Sequence, residues 1–332
     1  MNNSTSGPQN SGQPLYEGLI AAAVMVPTCG IGLMVYMMFN LTVFFTKEYR
    51  SNSYYILAAT LGLCDCTQLC GMLFYSVPSI LAGRWLGGKW LNVAVGAAML
   101  AGWYAAIPII GGLAINRYFC VCRKEDYSEY FSVRRTLVVV FVALLFGGFY
   151  FVMSFMSCCH FDFYPQLFAW TWDTSQTSGK LISYADISLT VSVVGMATCC
   201  NIKVFSTYRQ MHRDIAADRT GDQNRGDAVQ REREFKLFVQ FFIIVMWMTL
   251  FDTIFVITHF TPANKWLFLV VSCMWMIHCS INGYVYVGMN KQLRRRALNA
   301  ILRRKTVDPV STIQGQTNRR TSKVTSSVAQ KD

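Results

Sequence analysis

Six polar side chains stand inside stretches of sequence that are otherwise nearly free of charge. Asp65, Asp186 and Asp252 are acids, Asn40 and Asn282 are amides, and Arg117 closes a long uncharged run in Ile115-Asn116-Arg117-Tyr118. An ionisable group inside an apolar span costs several kcal/mol unless it faces a bundle interior or a watery cavity, so each is a candidate working part. Asn40, Asp65 and Asn282 fall in the same half of three different apolar stretches, where they can hydrogen-bond to one another in a low-dielectric interior. Two readings are open: glue between helices at about 0.6 kcal/mol per polar pair, or a switch core holding water or a sodium ion. Asp186 and Asp252 fall in the opposite half, with His160, His259 and His278 at comparable or slightly deeper levels. Trp103, Tyr104, Tyr184, Phe255 and Trp275 are placed to line an apolar ligand pocket among them. The alternative for each aromatic is plain packing or anchoring at the membrane interface.

The elements that position these residues follow from composition. Only 14% of the 332 residues are charged and 53% are hydrophobic, against roughly 25% charged in a soluble domain. Stretches long enough to cross a hydrocarbon core, about 20 helical residues each, occur at roughly Gly18 to Thr46, Tyr54 to Leu81, Trp90 to Asn116, Thr136 to Cys159, Leu181 to Thr207, Phe235 to His259 and Trp266 to Met289. Each must be helical, because an isolated strand leaves its backbone polar groups unsatisfied in lipid. The expected fold is an all-α seven-helix membrane bundle. Of 30 Lys and Arg residues, only Arg84, Lys89, Lys180 and Lys265 lie on the face of the N-terminal tail, which leaves 26 on the other. Positive charge stays in the cytoplasm, so the N-terminus is outside and the C-terminal tail inside.

The organisation expected is an outer tail over residues 1–17, a seven-span domain over 18–289, a basic amphipathic helix over 290–305 and a disordered tail over 306–332. In the amphipathic segment Leu293, Ala297, Leu298, Ile301 and Leu302 share one stripe, with Arg294, Arg295, Arg303 and Arg304 elsewhere, which suits the inner membrane face. Between the fifth and sixth spans the chain turns polar, with a flexible link at Thr220 to Gly226. Asn2 and Asn3 begin glycosylation acceptors in the outer tail. Thr321, Ser322, Thr325, Ser326 and Ser327 offer phosphorylation sites beside basic residues, suited to a kinase and an arrestin-like desensitising partner, although a generic disordered tail reads equally well. The tail before the first span lacks the basic region and cleavage site of a signal peptide.

Other classes fit less well. The net charge of +12 flanks membrane helices and is met by anionic inner-leaflet lipid rather than nucleic acid. The four histidines are scattered without an H-x-x-x-H pair, and Cys64-Asp65-Cys66 and Cys120-Val121-Cys122 lack metal-site spacing, so neither a metal, a cofactor nor enzyme activity is expected. A retinal pump would want a lysine in the middle of the seventh span, which has none. A transporter or proton-conducting protein is the better rival, because Asp65, Asp252 and His278 offer a proton path.

Taken together, Asp65 in the second helix, Asn116-Arg117-Tyr118 ending the third, Asn282 and Tyr286 ending the seventh, and an amphipathic inner helix beyond it resemble a rhodopsin-like G-protein-coupled receptor. Several positions depart from that pattern. Asn116 replaces the acid before the arginine, Gly283 replaces the proline after Asn282, and the sixth helix carries Trp247 but no proline. The outer end of the third helix has no cysteine to link to the second outer loop, and Cys158 and Cys159 lie near that loop without an obvious partner. The segment CCHFDFYPQLFAWTWDTS, the opening YADISL of the fifth helix and Asn201-Ile202 resemble the nematode serpentine chemoreceptors of class x.

The resemblance implies a small-molecule ligand outside and a heterotrimeric G protein inside, with Arg117 facing a cleft opened by outward swing of the sixth helix. Asn116, Arg117, Tyr118, Asn282 and Tyr286 would form the coupling switch. Glu232 or Glu234 would restrain Arg117 at rest, unless both are merely solvated. Amine receptors of this type carry an acid in the third helix, and Trp90 to Asn116 has none. A small neutral or apolar odorant or pheromone is therefore expected, detected in sensory cilia, with Asp186 or Asp252 left as a second geometry for a cation. A peptide or hormone receptor is the alternative within receptors.

Overall fold

The computed structural model describes residues 14–172, 177–217, 224–259, 261, 264–291 and 293–296. Long helices account for all seven apolar stretches: Leu15–Phe45, Ser53–Ala82, Gly88–Cys122, Val133–Met153, Thr177–Ala217, Asn224–His259 and Lys265–Met289. Among the described residues, six are long and apolar enough to cross a membrane, and Phe242–Thr258 is a shorter apolar stretch within the sixth. Asparagine or serine caps set several starts. The Asn52 carboxamide accepts from the Tyr54 N–H at 3.0 Å, Ser132 from Arg135 at 3.3 Å and Asn264 from Trp266 at 2.9 Å.

The third span is central, packed against the second, fourth and fifth, with 67% of its apolar window buried against 22% for the fourth. The difference is visible in residue size. The third span presents Gly96, Ala97, Gly102, Ala105 and Ala106 to its neighbours, whereas the fourth turns Phe141, Val142, Leu145 and Phe149 outward, as a lipid-facing helix does. The second span is locally widened into a π turn over Met72–Ser76. Pro78 lies just beyond, and a proline removes one ladder N–H and crowds the carbonyl four residues back, here that of Phe74 within the turn.

Several boundaries differ from the sequence reading. The fourth helix stops at Met153 instead of reaching Cys159, and Cys158 and Cys159 are disulfide-bonded to each other. Beyond them the all-α expectation needs an addition, a two-stranded antiparallel hairpin of β1 (Phe161–Tyr164) and β2 (Ala169–Trp172), with Phe161 opposite Trp172. Short helices Lys47–Arg50 and Lys124–Tyr130 fill the first two inner loops. The fifth helix continues to Ala217 and the sixth starts at Asn224, so most of the expected link lies outside the described residues. Of the segment after the seventh span, Leu293 is buried, Arg294 and Arg295 are exposed, and Arg296 bonds to Glu48 at 2.8 Å. The rest of that helix, the tail sites Thr321, Ser322, Thr325, Ser326 and Ser327, and Asn2 and Asn3 all lie outside the described residues.

Candidate functional site: an inner switch layer and an outer cavity

In the inner half, buried Asp65 accepts hydrogen bonds from two neighbouring helices. The Tyr36 hydroxyl of the first span donates to it, and so does the Asn282 amide of the seventh, at 3.4 Å. The expected trio of Asn40, Asp65 and Asn282 is thus a chain of Tyr36, Asp65 and Asn282. Asn40 lies in the same layer but makes no hydrogen bond to either among the described residues. Tyr36 was the missed member. It stands one helical turn before Asn40 on the same face, and that four-residue spacing was the available signal. Gly62 makes the approach possible, since a Cβ there would lie 2.8 Å from the Tyr36 ring. Oδ1 of Asn40 and Oδ1 of Asn282 remain buried without hydrogen-bond partners among the described residues. Such oxygens suit a water or a sodium ion.

One layer further in, Arg117 is only 7% exposed and its guanidinium lies 3.8 Å from the centroid of the Tyr54 ring. That is a cation–π contact across from the foot of the second span. Tyr54 meets Tyr286 edge to face at 6.0 Å, and Tyr286 stacks on Phe39 at 5.0 Å, so the end of the seventh helix is tied to the arginine through rings. Nε and Nη2 of Arg117 are buried without hydrogen-bond partners among the described residues. The side chains of Glu232 and Glu234, suggested as its restraint, lie outside them. Asn116, which stands where an acid was expected, donates to the Tyr127 hydroxyl at 3.2 Å and so docks the short helix of the second inner loop. Burial raises the Tyr127 phenol above its ordinary value, with the Asn116 hydrogen bond opposing. Tyr118 packs with Val204 and Tyr208 of the fifth span.

In the outer half a cavity of about 230 Å³ opens between the third, fifth, sixth and seventh spans, with the hairpin as a further wall. Trp103, Asp186, Asp252, Phe255 and Trp275 all line it, as do Phe161, Trp170 and Trp172 of the hairpin. Three expected lining residues do not. Tyr104 is fully buried against the fourth span, stacked on Tyr150 at 3.4 Å. Tyr184 is half exposed on the outside of the fifth span. His278 lies beneath the cavity, stacked on Phe251 at 5.2 Å and edge-on to Trp103 at 5.7 Å. His259, suggested at a similar level, has a side chain outside the described residues.

The hairpin is held against the helices by hydrogen bonds, at an end of the third span that carries no cysteine. Asn92, near the outer end of the third span, donates to the Asp162 carboxylate at 2.7 Å and accepts the Phe163 N–H at 3.2 Å. Trp85 donates to the Phe163 carbonyl, Trp170 to Ser76 at 2.8 Å, and Ser272 of the seventh span to the Phe168 carbonyl at 2.8 Å. Phe168 makes that turn in the left-handed region at φ 56°, its side chain fully buried. The period-two alternation of FDFY and AWTW about Pro165 was a usable strand signal. It is short, four residues on each side of the turn, and lies just beyond the apolar run that ends near Cys159.

Seven helices of this arrangement, a polar layer on Asp65 and an arginine covered at the inner end define a rhodopsin-like receptor bundle. The fold agrees, since squid rhodopsin superposes with a TM-score of 0.72 over 92% of this chain and 91% of that one, at 13% identity. The family sequence model described as "Serpentine type 7TM GPCR chemoreceptor Srx" matches residues 26–290, and the chain belongs to that family of G-protein-coupled receptors. Among curated proteins it is similar to melatonin receptor type 1B-B of Danio rerio, 21% identical over 86% of this chain and 82% of that protein. It is also similar to melatonin receptor type 1A of Mus musculus, 21% identical over 85% and 80%. The prostaglandin E2 receptor EP4 subtype of Bos taurus is 24% identical over 51% of this chain and 35% of its own length.

Proposed function

We propose that this receptor sits in the plasma membrane of a chemosensory cell, with its N-terminus outside, and binds a small organic ligand in the cavity walled by Trp103, Trp275 and the hairpin. The observation that carries this reading is the cavity itself, enclosed by aromatic side chains from three spans and a two-stranded roof. Relatives whose names carry melatonin and prostaglandin E2 favour a small organic ligand over a peptide. Ligand binding would shift a pre-existing balance between two arrangements of the bundle. At the inner end the change is release of Arg117 from the Tyr54 ring into a cleft for a heterotrimeric G protein, with Asn116, Tyr118, Asn282 and Tyr286 moving with it. The layer of Tyr36, Asp65 and Asn282 lies between the two sites and is the element both ends bias. Sensory cilia are the location this reading implies, with arrestin, kinase and inner-leaflet lipid as partners of the basic tail.

The test is ligand-stimulated nucleotide exchange on a G protein in cells expressing the full chain. Arg117→Ala should abolish exchange while surface expression persists. Loss of both together would make Arg117 a structural residue, and ligand-driven charge movement without exchange would favour a transporter.

A further inference from the structure

The ligand cavity is acidic on one side, and its two acids are not equivalent. Among the described residues that line it, Asp186 and Asp252 are the ionisable ones, and no Lys, Arg or His joins them. Asp186 accepts a hydrogen bond from the Trp103 indole N–H at 3.2 Å. Asp252 is only 8% exposed, yet its Oδ2 is buried without a hydrogen-bond partner among the described residues. A buried carboxylate left unpaired is costly, more so with a second acid in the same cavity, so the site is built to receive positive charge. The aromatic lining suits the same partner. Phe251 and Phe255 flank Asp252 on the sixth span, and Trp103, Trp275 and Trp172 supply further ring surface, which attracts cations through the electron-rich face.

We propose that the receptor recognises a small organic cation, a protonated amine on an apolar body, with Asp252 as its counter-ion and the surrounding rings as its cage. The inference rests on the reading of this cavity as the ligand site. It replaces the neutral ligand expected from the acid-free third span, because the fifth and sixth spans supply the carboxylates instead. Asp186, held by Trp103, orients that indole as one wall of the cage and adds negative potential without pairing directly.

The experiment uses the full-length receptor purified in detergent, with thermal stabilisation and G-protein nucleotide exchange as readouts. The probes are 2-phenylethylamine, its trimethylammonium analogue and the uncharged 2-phenylethanol. The amine should stabilise the receptor and the alcohol should not. Asp252→Asn should weaken the amine on the order of 30-fold or more, and Asp186→Asn by a smaller factor. Should Asp252→Asn fail to fold, Asp252→Glu and Trp275→Ala carry the test, each weakening the amine while leaving a folded receptor by its melting curve. Binding of the alcohol as tightly as the amine, with loss of both in Trp275→Ala, would overturn the cation while keeping the cavity. Amine binding untouched by substitution at both Asp252 and Trp275 would overturn the cavity as the ligand site. No stabilisation by either charged probe would also overturn the proposal.

Discussion

The inner and outer halves of this bundle are closed by different physical means. At the inner end the joints are side chain to side chain between helices: Tyr36 and Asn282 on Asp65, Arg117 on Tyr54, Asn116 on Tyr127. At the outer end a separate element, the hairpin, lies across the helices and is fastened largely through its own backbone, at the Phe163 N–H and the Phe163 and Phe168 carbonyls. Joints between side chains can be exchanged singly as helices slide, which suits a switch. A backbone-fastened hairpin moves as a unit, which suits a wall that must keep its shape around a ligand.

The largest effect should come from forcing the hairpin off the third span. Gly96 faces the Phe161 carbonyl so closely that an added Cβ would overlap that oxygen, with the Trp170 ring beside it at 2.9 Å. Because the obstacle is backbone, it cannot be relieved by a rotamer change. Gly96→Leu should cost about 3 kcal/mol or more, at the upper end of overpacking penalties, and remove the receptor from the cell surface. Gly148→Leu, on the fourth span with no neighbour within 4 Å of the added carbon, is the control and should express normally. Equal expression of the two would mean that the hairpin does not depend on its seat against Gly96.

A smaller effect should follow from cutting the clasp. Asn92→Ala removes a bond to a carboxylate, worth about 1.5–3 kcal/mol, and leaves the Phe163 N–H unpaired. Ligand potency should fall on the order of tenfold, and the melting temperature with it, while ligand-independent exchange stays at its original level. Reductant should do far less, since Cys158–Cys159, the disulfide among the described residues, joins neighbours in sequence and ties no helix to the hairpin. A collapse of ligand binding in dithiothreitol larger than that in Asn92→Ala would assign the clasp to a thiol bridge instead.

The contrast between the halves also explains what could be read from the sequence. The seven helices were legible because crossing lipid demands long apolar runs, and the inner polar residues stood out as costly exceptions within them. Asp65, Asn282, Arg117, Asp186 and Asp252 are legible as candidates for that reason. Their partners were not, because Tyr36 and Tyr54 are ordinary tyrosines until helix packing sets them against an acid and a cation. Tyr104, Tyr184 and His278 were misplaced for a related reason: sequence depth fixes the level of a residue in the bundle, whereas lining the cavity depends on helix rotation. The hairpin was missed because its alternation spans only four residues on each side of a turn. Asn92 was missed with it, since an amide in a helix says nothing of the loop it will hold.

The finest test concerns the joint between Arg117 and Tyr54. A cation over a ring contributes about 0.5–2 kcal/mol, the higher figure when both groups are out of water, as they are here. If this contact holds the arginine covered at rest, Tyr54→Leu should raise ligand-independent nucleotide exchange by a factor of about 2 to 30. Tyr54→Phe, which keeps the ring face, should stay within about twofold of the original receptor. The pair separates the ring from the hydroxyl: elevation in both variants would assign the restraint to the phenol oxygen, and elevation in neither would place it on side chains of the sixth helix such as Glu232 and Glu234. In that last case the inner end would be locked by charge, and the distinction between exchangeable inner joints and a fixed outer wall would narrow to the layer around Asp65.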